Sequence, residues 1–331
     1  MAETVHIAQM AEKISDELFA EFFWKKIGPT NQNWPCEDQD HHNVKTHPSD
    51  VVFFYDEPYS QARTYVNCDL KSYAKDSIST SAVRSALESL GKQVACAEKS
   101  DEWRKLYIHD DVTPQISGLL FVYNHDGEYD KNFDTVIVSL KNEALDLPRG
   151  SKIVVLGPKD IFWLDNVRYE IRQMRGSSGP DQLPAADKCR YFYPQLVLKA
   201  NVQLEKAKSA TLEMLTAPWI VLEYERPQSQ ARGIVVFYRR DGSTTQEFMY
   251  LIDYLRHYQV LEESARVHVK VLDVVPTAQV NFQKAVHQYI AEVANGDMGS
   301  KLAQCVEAIK FSRITQVLTT FSSIELGMGY E

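Results

Sequence analysis

The stretch VVFFYDEPYSQARTYVNCDLK, residues 51–71, constrains the fold more than any other part of the chain. Two runs rich in β-branched and aromatic residues, 51–56 and 63–71, flank a break at Pro58, and this pattern predicts a β-hairpin. Side chains on a strand alternate between faces. Thr64, Val66, Cys68 and Leu70 therefore point one way, toward a core, and Tyr65, Asn67, Asp69 and Lys71 point the other. Asp69 and Lys71 share a face at the end of their strand. Asp50 opens the partner strand, so hairpin pairing brings it toward Asp69.

The surrounding segments alternate in type. Ile14, Leu18 and Phe22 recur at helical spacing and predict a helix from about Ile7 to Ile27, which Gly28-Pro29 should end. A polar loop is expected from Thr30 to Pro48. Ser79-Thr80 can cap a helix over SAVRSALESLGKQVACA; ISGLLFVYN (116–124) and KIVVLG read as strands, and NVRYEIRQM as helical or extended. Farther on, WIVLEYE, GIVVFYRR and RVHVKVLDV read as strands, with helices at TTQEFMYLIDYLRHYQ and AQVNFQKAVHQYIAEVA. Strands interleaved with helices indicate an α/β layer architecture. An echo links GLLFVYNHDGEYDKNF (118–133) with GIVVFYRRDGSTTQEF (233–248); two Asp-Gly turns explain it more simply than a duplicated unit.

With 331 residues the chain suggests two domains. RGSSGPDQLPAADK gathers Gly, Ser, Pro and Asp and reads as a linker, dividing the chain into 1–175, a linker at 176–189, and 190–331. No apolar run approaches the roughly 18 residues of a membrane span, and the N-terminus lacks the pattern of a secretory signal. The five cysteines, Cys36, Cys68, Cys96, Cys189 and Cys305, form no CxxC pair, which argues against a disulfide framework or a structural zinc site and for a reducing cytoplasm. His41, His42 and His47 raise zinc as an option, but without cysteines at ligand spacing a polar loop is the simpler reading. The net charge of −9 disfavours extended duplex-DNA binding and leaves compact nucleic acids open. The sequence contains no GxxxxGK[ST], GxSxG or HExxH motif.

Two carboxylates and an amine converging at a strand end suit phosphodiester hydrolysis. Mg²⁺ prefers oxygen ligands and retains waters, and it lowers the pKa of a bound water while offsetting transition-state charge. A neighbouring lysine can orient that water, stabilise hydroxide, or act as base if its pKa falls. The plain alternative is an exposed, ion-paired strand face, which would stabilise by no more than about 1 kcal/mol.

PSD at 48–50 followed by DLK at 69–71, between an acidic helix and a helix-strand pair, resembles the PD-(D/E)xK nuclease superfamily. The resemblance covers roughly residues 7–125, and it departs from the pattern where Ser49 separates Pro48 from Asp50. It implies an N-terminal restriction-endonuclease-like αβββαβ core followed by a second α/β domain for sensing, specificity or dimerisation. Asp50 and Asp69 would be metal ligands, with Lys71 catalytic and Glu17 on the first helix as a third acid; Glu21 is the fallback. Tyr73 and Lys75 are weaker candidates for substrate contact. Mg²⁺ is the implied cofactor, with Mn²⁺ as a substitute. The implied function is an anti-phage defence nuclease acting on RNA, tRNA in particular, with a protein trigger engaging the second domain and room for a homodimer. Alternatives are a restriction-like DNA endonuclease and a non-catalytic interaction protein on the same scaffold.

Overall fold

A computed structural model describes residues 2–109, 111–150, 152–194, 207–227, 229, 231–293 and 299–317, with side chains from residue 11 onward. These residues form two compact units, 2–165 and 166–317. No described helix is long and apolar enough to cross a membrane.

The first unit begins with helix α1 (Ala2–Glu21). The expected helix to Ile27 is cut short. Phe23 adopts φ 63° and ends it, and Lys25–Ile27 instead form an edge strand, β1. The expected polar loop is also structured. β2 (Gln32–Pro35) and β3 (Thr46–Ser49) pair antiparallel around a short helix, α2 (Gln39–His42). Its anchor is Trp34, which is 1% exposed and whose ring Nε1–H donates to Ser49 Oγ at 3.0 Å.

The hairpin read from sequence is present as β4 (Val51–Asp56) and β5 (Ala62–Tyr73), antiparallel, with Val51 opposite Cys68. α3 (Thr80–Ala97) follows, capped by Ser79 Oγ accepting from Ala82 N; then come α4 (Asp101–Tyr107), β6 (Thr113–Asn124), α5 (Phe133–Lys141) and β7 (Ile153–Leu156). The sheet order is β1-β4-β5-β6-β7, antiparallel through β5 and parallel beyond it. Both faces are covered, which parallel strands require. On one face Phe19 of α1 packs edge-on against Phe53 and Phe121. On the other, Leu90 and Val94 of α3 join Val52, Tyr65, Leu120 and Val122 in a buried cluster. Removing β2–α2–β3 and the short α4 leaves α1-β1-β4-β5-α3-β6, an αβββαβ core.

Gly28 shows how tightly this unit is closed. Its φ of +68° favours glycine, and an added Cβ would lie 2.4 Å from Tyr107 Cδ1 and 2.6 Å from the Leu106 carbonyl oxygen. Gly28→Ala is expected to destabilise the protein by about 3 kcal/mol, measurable as a lower midpoint in urea denaturation.

The unit boundary falls within helix α6 (Pro158–Gly176). Beyond it lie β8 (Cys189–Tyr191), α7 (Leu212–Thr216), β9 (Trp219–Glu225), β10 (Arg232–Tyr238), α8 (Thr245–His257), β11 (Arg266–Val271), α9 (Ala278–Val293), α10 (Lys301–Glu307) and β12 (Lys310–Arg313). The second sheet runs β8-β9-β10-β11-β12 with the same succession of pairings, two antiparallel and then two parallel. Taken with α6, its core is again α-β-β-β-α-β.

The two hairpins match in detail. Glu57 N donates to Ala62 O at 3.0 Å in the first, and Arg226 N to Ala231 O at 2.9 Å in the second. In sequence both turns carry P-x-S-Q-A-R, at 58–63 and 227–232. The second unit is thus an internal repeat of the first. Laid in register, Trp219 and Tyr238, which face each other across the second hairpin, take the places of Asp50 and Asp69, and Arg240 that of Lys71. The sequence echo is a different matter, because it aligns β6 with β10, whereas the sheets align β5 with β10. Its glycines, Gly127 (φ 66°) and Gly242 (φ 67°), sit in left-handed turns, as the simpler explanation requires.

Candidate functional site

Asp50 is the single residue between β3 and β4, where the chain leaves the small sheet for the large one. Its neighbour Ser49 is fully buried and accepts from the indole N–H groups of both Trp34 and Trp103, at 3.0 and 3.3 Å. Two tryptophans thus clamp the serine that separates Pro48 from Asp50. The Asp50 carbonyl accepts from Asn31 N at 2.8 Å, and its Oδ2 accepts from Leu70 N at 2.8 Å. The acid is held at both its backbone and its side chain.

The register that pairs Val51 with Cys68 sets Asp50 opposite Asp69 on one face. The two carboxyl groups are close enough for each to shift the other's ionisation. Asp69 is 5% exposed, and Lys71 Nζ lies 2.5 Å from its Oδ1. Asp50, Asp69 and Lys71 therefore converge, as the strand alternation implied.

Burial dominates the electrostatics. It raises the Asp69 carboxyl to about 6, helped by the charge of Asp50 and opposed by Lys71. Asp50 is also raised, again chiefly by burial, against the Leu70 N–H and Lys71. For Lys71 the balance is reversed. Burial opposes its charge, but the two acids outweigh it and hold the ammonium above its usual range. Two buried carboxyls that resist ionising together form a cluster of hard oxygen donors suited to a hard divalent cation.

The helix acids fall on two sides of α1. The charge of Glu12 acts on Asp50, and Glu12 also binds Lys26 at 3.0 Å, as does Asp16 at 2.7 Å. Glu17 lies five residues on, about 7.5 Å along the axis and about 140° around it. The helix also runs away from the acids, since Phe19 meets Phe53, and Trp24 beyond it stacks on Tyr55 at 5.4 Å. Glu21 is buried one turn past Glu17. The helical pattern in the sequence gives no sign of which end of α1 adjoins the hairpin.

Tyr73 ends β5 on the Asp69–Lys71 face and is half-buried, its hydroxyl pKa raised by that burial. Lys75 stands in the next turn, with its ammonium 3.3 Å from Glu128 and its backbone N–H donating to Asp126 Oδ2. Asp126 serves the turn, accepting also from Glu128 N.

An αβββαβ core with a carboxylate pair and a lysine at the open end of its β4–β5 hairpin is the architecture of a restriction-endonuclease-like nuclease. Residues 1–160 match the family model of the GAPS4 protein PD-(D/E)XK nuclease domain. The N-terminal unit belongs to the PD-(D/E)xK nuclease superfamily, whose members generally use divalent metals and act on nucleic acids. No curated protein and no solved structure matches the chain.

Proposed function

We propose that the N-terminal unit is a Mg²⁺-dependent phosphodiester hydrolase acting on RNA, with tRNA the favoured substrate, and that the chain is an anti-phage defence effector. The observation that carries the hydrolase is the convergence of Asp50, Asp69 and Lys71 on one face. Asp50 and Asp69 would hold the cation, for which Mn²⁺ can substitute. When bound, the ion supplies Lewis-acid activation of water and offsets charge building on the phosphate. Lys71, held protonated by both acids, orients the attacking water and donates to the oxygen that gains charge. Tyr73, on the same face, would contact substrate, and Lys75 lies farther along the same edge.

The RNA preference rests on the acidic balance of the chain and on the lack of a DNA-reading motif in the sequence. The defence role rests on a nuclease joined to a unit with no helicase or methylase motif, and it accords with the GAPS4 designation. The second unit, a repeat with aromatics at the acid positions, suits recognition of a trigger or of a second copy better than hydrolysis.

Purified protein incubated with Mg²⁺ or Mn²⁺ and either tRNA, bulk RNA or plasmid DNA tests this reading. Cleavage of tRNA is expected. Products from plasmid alone would replace it with a restriction-like DNA endonuclease, and no product from any polymer would leave a non-catalytic interaction protein. For the third acid, Glu12→Gln is expected to lower the rate at least about tenfold and Glu17→Gln to leave it within about twofold. The reverse ranking would restore Glu17 to the site.

A further inference from the structure

We propose that Cys36, His42, His47 and Cys96 form a structural zinc site in the N-terminal unit, separate from the acidic pair. One ligand atom from each lies within 4.8 Å of all the others. The sulfurs of Cys36 and Cys96 are 3.7 Å apart, and His42 Nδ1 is 3.4 Å from the first and 3.3 Å from the second. A tetrahedral ion with bonds of about 2.3 Å to sulfur and about 2.0 Å to nitrogen needs edges near 3.8 Å for S···S and near 3.5 Å for S···N. The two sulfurs and His42 Nδ1 already have the spacing of a coordination shell, and His47 lies within reach of completing it. A disulfide, by contrast, needs its sulfurs at about 2.05 Å.

Further observations point to a ligand. His47 is 3% exposed and its Nε2 is buried without a hydrogen-bonding partner, a costly condition unless something else takes the lone pair. Backbone N–H groups also converge on the sulfurs. Asp38 N donates to Cys36 Sγ at 3.4 Å, and the N–H groups of Glu37 and Asp38 reach Cys96. Such donors stabilise thiolates and recur around thiolate-bound metals. Two sulfurs and two imidazoles suit a borderline-soft cation and not Mg²⁺, and four protein ligands leave no open position, which marks a structural site.

The topology explains why the sequence concealed it. Cys36 follows β2, His42 ends α2 and His47 lies in β3, so three ligands come from one small hairpin. Cys96 comes from the last turn of α3, sixty residues past Cys36. The expectation of a plain polar loop, and of cysteines unsuited to zinc, gives way to this cluster. An ion there would tie the β2–β3 hairpin to α3 three residues before Asp50. It would brace the nuclease site without entering its chemistry.

The test uses the full chain expressed with zinc and dialysed against metal-free buffer, with metal counted by mass spectrometry. About one zinc per chain is expected in the wild type and equally in Asp69→Asn, which keeps this result independent of the nuclease reading. Cys36→Ser and Cys96→Ser should each retain less than about a tenth of it, and Cys305→Ser all of it. Because the cysteine variants could misfold, the wild type exchanged with Co²⁺ provides a second readout. Sulfur-to-cobalt charge transfer and the intense visible bands of tetrahedral cobalt are expected. Substoichiometric zinc in the wild type, a cobalt spectrum without sulfur charge transfer, or loss of zinc in Asp69→Asn would each overturn the proposal.

Discussion

Asp69→Asn is expected to lower nucleolytic kcat/KM by at least about 10³-fold while making the metal-free protein more stable at neutral pH. The loss of activity follows from removing one of two carboxylates that would hold the cation. The gain in stability follows from the direction of the pKa shift. Asp69 ordinarily ionises at 3.8 and is lifted to about 6, chiefly by burial and then by Asp50. The folded protein therefore binds this proton more tightly than the unfolded chain does. Its stabilising contribution is complete below pH 3.8 and is lost as pH rises through 6. By pH 7 the buried charge costs roughly 3 kcal/mol. Asparagine has nearly the same shape and never ionises. Denaturant titrations should show no advantage for the variant at the acid end of this range and an advantage of roughly 2–3 kcal/mol at pH 7. Added Mg²⁺ should close that gap by stabilising only the wild type. A variant less stable than wild type at pH 7 would mean that the Lys71 ion pair outweighs burial.

Lys71 gives the second large effect. Its ammonium touches Asp69 and is held protonated by both acids, so on the proposed function its part would be to place and polarise groups rather than to take a proton. Lys71→Ala is expected to reduce kcat by about 10²- to 10³-fold with little change in KM. Lys71→Arg should recover less than about tenfold of that loss, because a planar guanidinium on a different stem cannot present one rotatable donor at the same point. Steady-state kinetics on the polymer that is cut decide it, and recovery to near wild-type rate by arginine would reduce the lysine to a simple counter-charge.

The hairpin and its charged end were legible in the sequence because a period of two leaves no freedom. Once 63–71 is a strand, Asp69 and Lys71 must share a face, and any antiparallel partner starting at Val51 brings Asp50 opposite. Ser79 was legible as a cap for a similarly local reason. The features that sequence reading missed depend on tertiary context. β1 is three residues of an edge strand carrying two exposed lysines, and it exists because β4 offers it a ladder. The end of α1 depends on a positive φ at Phe23, which that residue type does not announce. β2 and β3 form where two buried tryptophans grip one serine, and polar composition hides such an anchor. The internal repeat was written in P-x-S-Q-A-R, but the more conspicuous Asp-Gly turns drew the comparison out of register.

Tryptophan and tyrosine facing each other in the second hairpin, where the first has its paired aspartates, have a consequence for stoichiometry. A fold built twice in one polypeptide could in principle make two incisions, yet at these matched positions the first copy alone carries the two carboxylates. On the proposed function, each chain would then sever one strand per encounter. That suffices for a folded single-stranded molecule such as a transfer RNA, whereas a clean break through a duplex requires two chains acting together.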